Sequence, residues 1–238
     1  MAAAPDSAWT ELGLGIMARR WRAESLPGSL WLVDAGAPPA PGCEAVLSAS
    51  ERARAEEFRG EDLRNRFLTA HCALRLVLEQ AFGVPVLRQT FELGPFGKPR
   101  LREVSRAQFS LSYSGDRALI GVAWDVLLGV DLESLRSIEG AKDIVSELFT
   151  PSEQLKLQRH DPASRLFEHA FLEAWTRKEA CVKATGLGLG QIRLSELESG
   201  VGSGLTAVRI GSCHLRTDTT LIDYAYVAAW AVGTKLTY

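Results

Sequence analysis

The 238-residue chain lacks a paired-cysteine pattern, a strong charge of either sign and a long apolar run. Its four cysteines, Cys43, Cys72, Cys181 and Cys213, are widely spaced and form no CxxC unit. They read as reduced thiols of a cytoplasmic protein. Lysine and arginine total 27 against 29 aspartate and glutamate, a formal net charge of −2. That balance gives no overall reason to expect nucleic acid as a partner. No stretch of about 18 apolar residues suggests a membrane span. The opening MAAAPDSAWTELGLG has no basic start followed by an apolar run, so no signal peptide is expected. Core-forming residues are abundant, at 46% of the chain. They suffice for one large domain or two small ones and oppose wholesale disorder.

Periodicity divides the chain. SLWLVDAG (29–36) reads as a strand, and APPAPG (37–42) as a loop. Ser48 and Ser50 are candidate N-caps for a charged helix, and apolar residues from Leu63 to Ala81 recur at helical spacing up to Gly83. GPFGKPRL (94–101) is a glycine–proline turn; FSLSYSGD (109–116) and ALIGVAW (118–124) form a hairpin. LLGVDLE (127–133) is the next strand, and Thr150-Pro151 starts a short helix. Asp161-Pro162 gives a start signal for the long helix SRLFEHAFLEAWTRKEACVKATG (164–186), which Gly186 ends, and the remainder reads as strands. FLTA (67–70) and FLEA (171–174) stand sixteen and fifteen residues before the two stop glycines. That weak echo permits two similar α+β halves, 1–124 and 125–238.

Two carboxylates, Asp131 and Glu133, interrupt an apolar strand and share one face. Salt bridges or a hard divalent cation would each answer the cost of burying them. On the long helix Trp175, Glu179 and Lys183 also share a face; alone, Glu179 and Lys183 read as an ordinary surface pair. Together the three carboxylates suit Mg²⁺ and the lysine suits phosphate, which predicts phosphoryl-type chemistry. Arg54, Arg59, Arg64, Arg66 and Arg75 decorate the first helices, most of them as a solvated face. GLGLG (186–190) follows a helix rather than a strand, so it is no dinucleotide fingerprint. The histidines form no metal-ligand pattern, and His71 and His169 read as ordinary helix residues.

FGKP, FSLSYSGD, GVDLE and FLEAWTRKEACVKATGLGL, in this order and spacing, resemble the 4′-phosphopantetheinyl transferases of the surfactin-synthetase-activating type. The resemblance covers roughly residues 50–195. It implies an α+β fold, a monomeric pseudo-dimer of two similar halves with coenzyme A between them. It implies Mg²⁺-dependent transfer of the phosphopantetheine arm to a serine of an apo acyl or peptidyl carrier protein, with release of adenosine 3′,5′-bisphosphate. Such carriers serve fatty-acid, polyketide or nonribosomal-peptide synthesis. Asp131, Glu133 and Glu179 match the magnesium ligands, Glu179 also the serine-activating group, and Lys183 the pyrophosphate lysine. Gly97, Lys98 and Pro99 match the turn at the adenine nucleotide. Arg54 and Arg66 match the positions that receive the 3′-phosphate, and Ser112 and Tyr113 lie where the family contacts coenzyme A. Tyr113 is a departure, because the family usually has histidine there, and tyrosine donates a hydrogen bond but does not become cationic near neutral pH. A non-catalytic coenzyme A-binding module and a magnesium-dependent phosphohydrolase are the competing readings.

Overall fold

A computed structural model describes residues 8–202 and 204–235. In chain order the elements are β1 (Thr10–Gly13), β2 (Ile16–Trp21), β3 (Gly28–Asp34), α1 (Cys43–Val46), α2 (Ala49–Glu56), α3 (Glu61–Phe82), β4 (Glu92–Leu93), β5 (Pro99–Arg100), β6 (Ala107–Ser114) and β7 (Arg117–Trp124). There follow β8 (Leu127–Ser134), α4 (Ala141–Leu148), α5 (Pro151–Leu157), α6 (Arg165–Thr185), β9 (Thr206–Ile210), β10 (Cys213–Ile222) and β11 (Tyr226–Lys235). Two antiparallel sheets result, ordered β1-β2-β3-β7-β6 and β8-β11-β10-β9.

The sheets pack face to face. Leu30, Leu32 and Leu119 of the first meet Leu128, Val130, Leu132 and Trp230 of the second. The opposite face of the first sheet, with Trp31, Val33 and Ile120, is covered by α3 through Phe67, Ala70, Leu74 and Val77. The outer face of the second, with Ala229 and Ala231, is covered by α6 through Ala180 and Ala184. Burial on both faces explains the continuous apolar runs in the central strands β3 and β7 and in β8, the edge strand that packs between the first sheet and α6. The two long helices stop at Gly83 and Gly186, both in the left-handed conformation that glycine tolerates.

The weak echo in the sequence corresponds to a repeated structure. In each half a strand, a short helix, a capped helix and a long helix follow in turn, and of the strands after them the last pairs with the first (β3 with β7, β8 with β11). Ser48 caps α2 and Thr150 caps α5, each in a reciprocal box with a glutamate three residues on, Glu51 or Glu153. Each glutamate then reaches a buried cation on the following long helix, Arg75 at 2.5 Å or Lys178 at 2.7 Å.

The long second helix, Arg165–Thr185, lies within the stretch 164–186 read from the sequence, but Asp161-Pro162 is not its cap. Asp161 instead forms a turn that accepts from Ala163 N, and Ser164 caps the helix through Phe167 N. Arg75 is also corrected. It is fully buried rather than part of a solvated face, and it donates to Glu51, Val86 O and Gln89 O.

Candidate functional site

The close approach of β8 and α6 builds the site. A Cβ at Gly129 would come within 2.1 Å of Ala180 O and 2.4 Å of Ala184 N. Only glycine lets strand and helix touch there. On the same face of the strand, Asp131 and Glu133 then lie along the helix that carries Glu179 and Lys183.

Asp131 is 4% exposed. Its Oδ1 accepts from Lys183 Nζ at 2.6 Å and from Ser112 Oγ at 2.8 Å, and Lys183 Nζ also reaches Ser112 Oγ at 3.1 Å. Asp131 Oδ2 is buried without a hydrogen-bond partner. Burial holds the Asp131 carboxyl above its usual range, against the pull of Lys183 and Ser112. Glu133 Oε2 accepts from Ser114 Oγ at 3.0 Å and pairs with Arg136 at 2.6 Å. Glu179 is likewise raised, by burial first and then by the charge on Asp131, with a smaller push from Glu133.

The β6 serines form a seam with β8. Ser110 Oγ accepts from Val130 N at 3.0 Å and Ser114 Oγ from Ser134 N at 3.1 Å. Between them Ser112 donates to Asp131. The first half thus orients the carboxylates of the second. Ser112 is buried in this role.

Beside this cluster opens a cleft of about 680 Å³ between the halves. Glu179, Lys183, Tyr113, Gly97, Lys98 and Pro99 all line it. Its apolar walls include Phe91, Phe96, Phe109 and Leu187. Tyr113 is 43% exposed, and burial of its remainder raises its hydroxyl pKa against the charges of Arg54 and Lys183. Lys98 turns its ammonium away to Leu128 O at 2.8 Å and Ala184 O at 2.9 Å. Its stem lies 3.2 Å from where a Cβ of Gly186 would stand. Burial, with help from Arg100, brings its pKa down to about 8.

Arg54 and Arg66 are not among the cleft-lining residues. Arg54 pairs with Glu57, and Arg66 with Asp116 at 2.9 Å. The metal-ligand set is also not drawn together as predicted: among the described residues no three carboxylate, imidazole or thiolate groups converge enough to hold a metal ion. Lys183, Ser112, Ser114 and Arg136 satisfy the near oxygens instead. The donor chemistry still suits a hard cation. Three carboxylates repel one another here, and a buried carboxylate oxygen lacks a partner.

Sequence reasoning missed the far wall. Ser48, Ser50, Glu51 and His71 line it. The signal for Glu51 was the capping box, in which a serine stands three residues before a glutamate. Burial would raise the Glu51 carboxyl, but hydrogen bonds from His71, Ser48 N and Arg75 outweigh it and bring the pKa to about 2, from 4.5. A folded-state pKa below the unfolded one adds stability above about pH 4.5, lost as pH falls toward 2. A drop of this size corresponds to about 3 kcal/mol. Urea unfolding should therefore find Glu51→Gln less stable than the parent by about that amount at pH 7. The gap should shrink steadily below pH 4.5; a constant gap would refute the linkage.

Residues 127–229 match the family model described as the 4'-phosphopantetheinyl transferase superfamily. The Synechocystis sp. protein slr0495 is 34% identical over 162 residues, 67% of this chain and 65% of that protein. The 4'-phosphopantetheinyl transferase psf-1 of Bacillus pumilus is 32% identical, over 60% of this chain and 59% of its own. HetI of Nostoc sp., another 4'-phosphopantetheinyl transferase, is 35% identical, over 65% of each. The matched stretch thus spans less than two thirds of each of these relatives. It contains the strand carboxylates, the helix glutamate and the lysine whose geometry is described above. With that site inside it, the matched region, residues 127–229, is similar to the 4′-phosphopantetheinyl transferase superfamily.

Proposed function

We propose that the protein transfers the 4′-phosphopantetheine arm of coenzyme A to a serine hydroxyl of an apo carrier protein, releasing adenosine 3′,5′-bisphosphate. One observation carries this reading. Asp131 holds Lys183, and Lys183 and Glu179 together line a cleft between two similar α+β halves, 1–124 and 125–238.

The serine oxygen attacks the phosphorus that bears pantetheine, and the diphosphate bridge to the nucleotide breaks. Glu179, which lines the cleft, takes the serine proton. Lys183, anchored by Asp131 and Ser112, offers positive charge to the diphosphate and to the leaving group. Mg²⁺ held by Asp131, Glu133 and Glu179 would neutralise further charge on the diphosphate oxygens. The Gly97–Pro99 turn and Tyr113 lie on the walls where the rest of coenzyme A would extend. We place the enzyme in the cytoplasm as a monomer acting on acyl or peptidyl carriers. Among the described residues, no helix is long and apolar enough to cross a membrane.

Incubation with coenzyme A, Mg²⁺ and an apo carrier protein, read by mass, tests the reading. Transfer adds one phosphopantetheine to the carrier. Hydrolysis would consume coenzyme A and leave the carrier unchanged, and a binding module would do neither; either result overturns the proposal. Glu179→Gln should lower kcat by about 10²–10⁴-fold, the usual range for a general base, while coenzyme A affinity by calorimetry changes only a few-fold. Lost affinity with normal turnover at saturation would remove the base role.

A further inference from the structure

We propose that His71 is a specificity-determining residue that donates a hydrogen bond to a phosphate of coenzyme A. This rests on the coenzyme A reading above. His71 lies on α3 and lines the cleft, with its side chain 21% exposed. Two contacts fix the ring. Nδ1 lies 3.0 Å from Glu51 Oε1, and Phe67 stacks on the imidazole with centroids 4.0 Å apart. Glu51 is itself immobilised by Ser48 and by buried Arg75. With Nδ1 donating to the carboxylate, Nε2 is the ring nitrogen left for the cleft, and it donates there in the doubly protonated ring, whose charge Glu51 balances.

The surroundings point to an anion. Ser50 and Thr90 add hydroxyls to the same wall, in a cleft that is otherwise largely apolar. Of the other cleft-lining cations, Lys98 is bound to two backbone carbonyls, and Lys183, seated on Asp131 and Ser112, is assigned above to the diphosphate. Arg54 and Arg66, the positions that the motif match assigned to phosphate, pair with Glu57 and Asp116 outside the cleft lining. A pre-oriented imidazole on a rigid helix therefore adds a cationic donor for a phosphate to the hydroxyls of Ser50 and Thr90. Coenzyme A offers two such groups, the 3′-phosphate and the diphosphate.

Calorimetry of the whole chain with coenzyme A and with 3′-dephospho-coenzyme A separates them, using the parent, His71→Asn and His71→Arg. Asparagine keeps a donor near Nδ1 for Glu51 and deletes Nε2; arginine supplies a cation of its own. Thermal melts confirm that each variant is folded. His71→Asn should weaken coenzyme A binding about tenfold or more, as expected for a hydrogen bond to a charged group, and His71→Arg should recover most of it. If the contact is to the 3′-phosphate, the parent and His71→Asn bind the dephospho form equally. If it is to the diphosphate, both ligands weaken alike and arginine rescues both. Unchanged affinity in His71→Asn, or a loss that arginine does not rescue, overturns the proposal and leaves His71 a packing residue. A parent that binds neither ligand would instead sink the coenzyme A reading, and this assignment with it.

Discussion

Asp131→Ala should abolish nearly all carrier loading, with kcat down by about 10³-fold or more, while the melting temperature moves little. The two halves of this expectation have separate causes. Asp131 anchors Lys183 Nζ at 2.6 Å, and its buried Oδ2 is the carboxylate oxygen with no protein partner. Removing the side chain frees the lysine from its position and takes away one proposed magnesium ligand. Stability changes little because burial already disfavours the charged carboxylate, whose pKa is raised despite the lysine. The Lys183 side chain, 32% exposed, can recover solvent when its partner is gone. Mass-detected loading at limiting Mg²⁺ and circular dichroism melts are the two measurements. Near-normal loading would show that Asp131 is a structural salt bridge and not part of the catalytic centre.

Glu153→Ala should behave in the opposite way, as a loss of stability of about 3–5 kcal/mol. Glu153 and Lys178 are both completely buried and meet at 2.7 Å. The glutamate also accepts from Thr150 N, Ser199 N and Gly200 N, tying the start of α5 to the segment after α6. Alanine would leave a buried ammonium and several backbone donors without their carboxylate. Lys178 keeps only Leu194 O and Leu197 O. For a chain of this size the melting temperature should fall by about 6–20 °C. The double variant Glu153→Leu, Lys178→Met removes both charges and should recover a substantial part of the loss. If the single variant melted within a degree or two of the parent, the pair would not be the buried link described here.

The sequence carried the local signals well. The two long helices, their stop glycines, the hairpin β6–β7 and the Thr150-Pro151 start all follow from spacing, caps and turn chemistry, which act over a few residues. Asp131 and Glu133 were legible because acids are conspicuous in an apolar strand. The β1–β2 hairpin was not assigned, because Arg19 and Arg20 break the apolar pattern of β2; Asp223 pairs with Arg19, and Ser29 of the neighbouring strand accepts from Arg20. Helix α4 was missed, and its apolar face is completed by Phe167 and Phe171 of α6. Arg75, Arg177 and Lys178 look like surface residues in any linear reading. Their burial depends on Glu51, on the Ser199–Gly204 backbone and on Glu153, all at least twenty residues away. His71 was passed over for the same reason, since its orienting carboxylate is on another helix.

Ser112 and Ser114 belong to one half of the molecule, and Asp131 and Glu133 to the other. A chain whose halves have not docked therefore has unoriented carboxylates and a loose lysine. The centre becomes competent only when the whole molecule has closed. Completion of folding and readiness for chemistry are one event, so an unfinished copy is silent rather than error-prone. Substitutions along the seam should accordingly lower the fraction of competent molecules and, at Ser112, which also holds Lys183, the turnover of each as well.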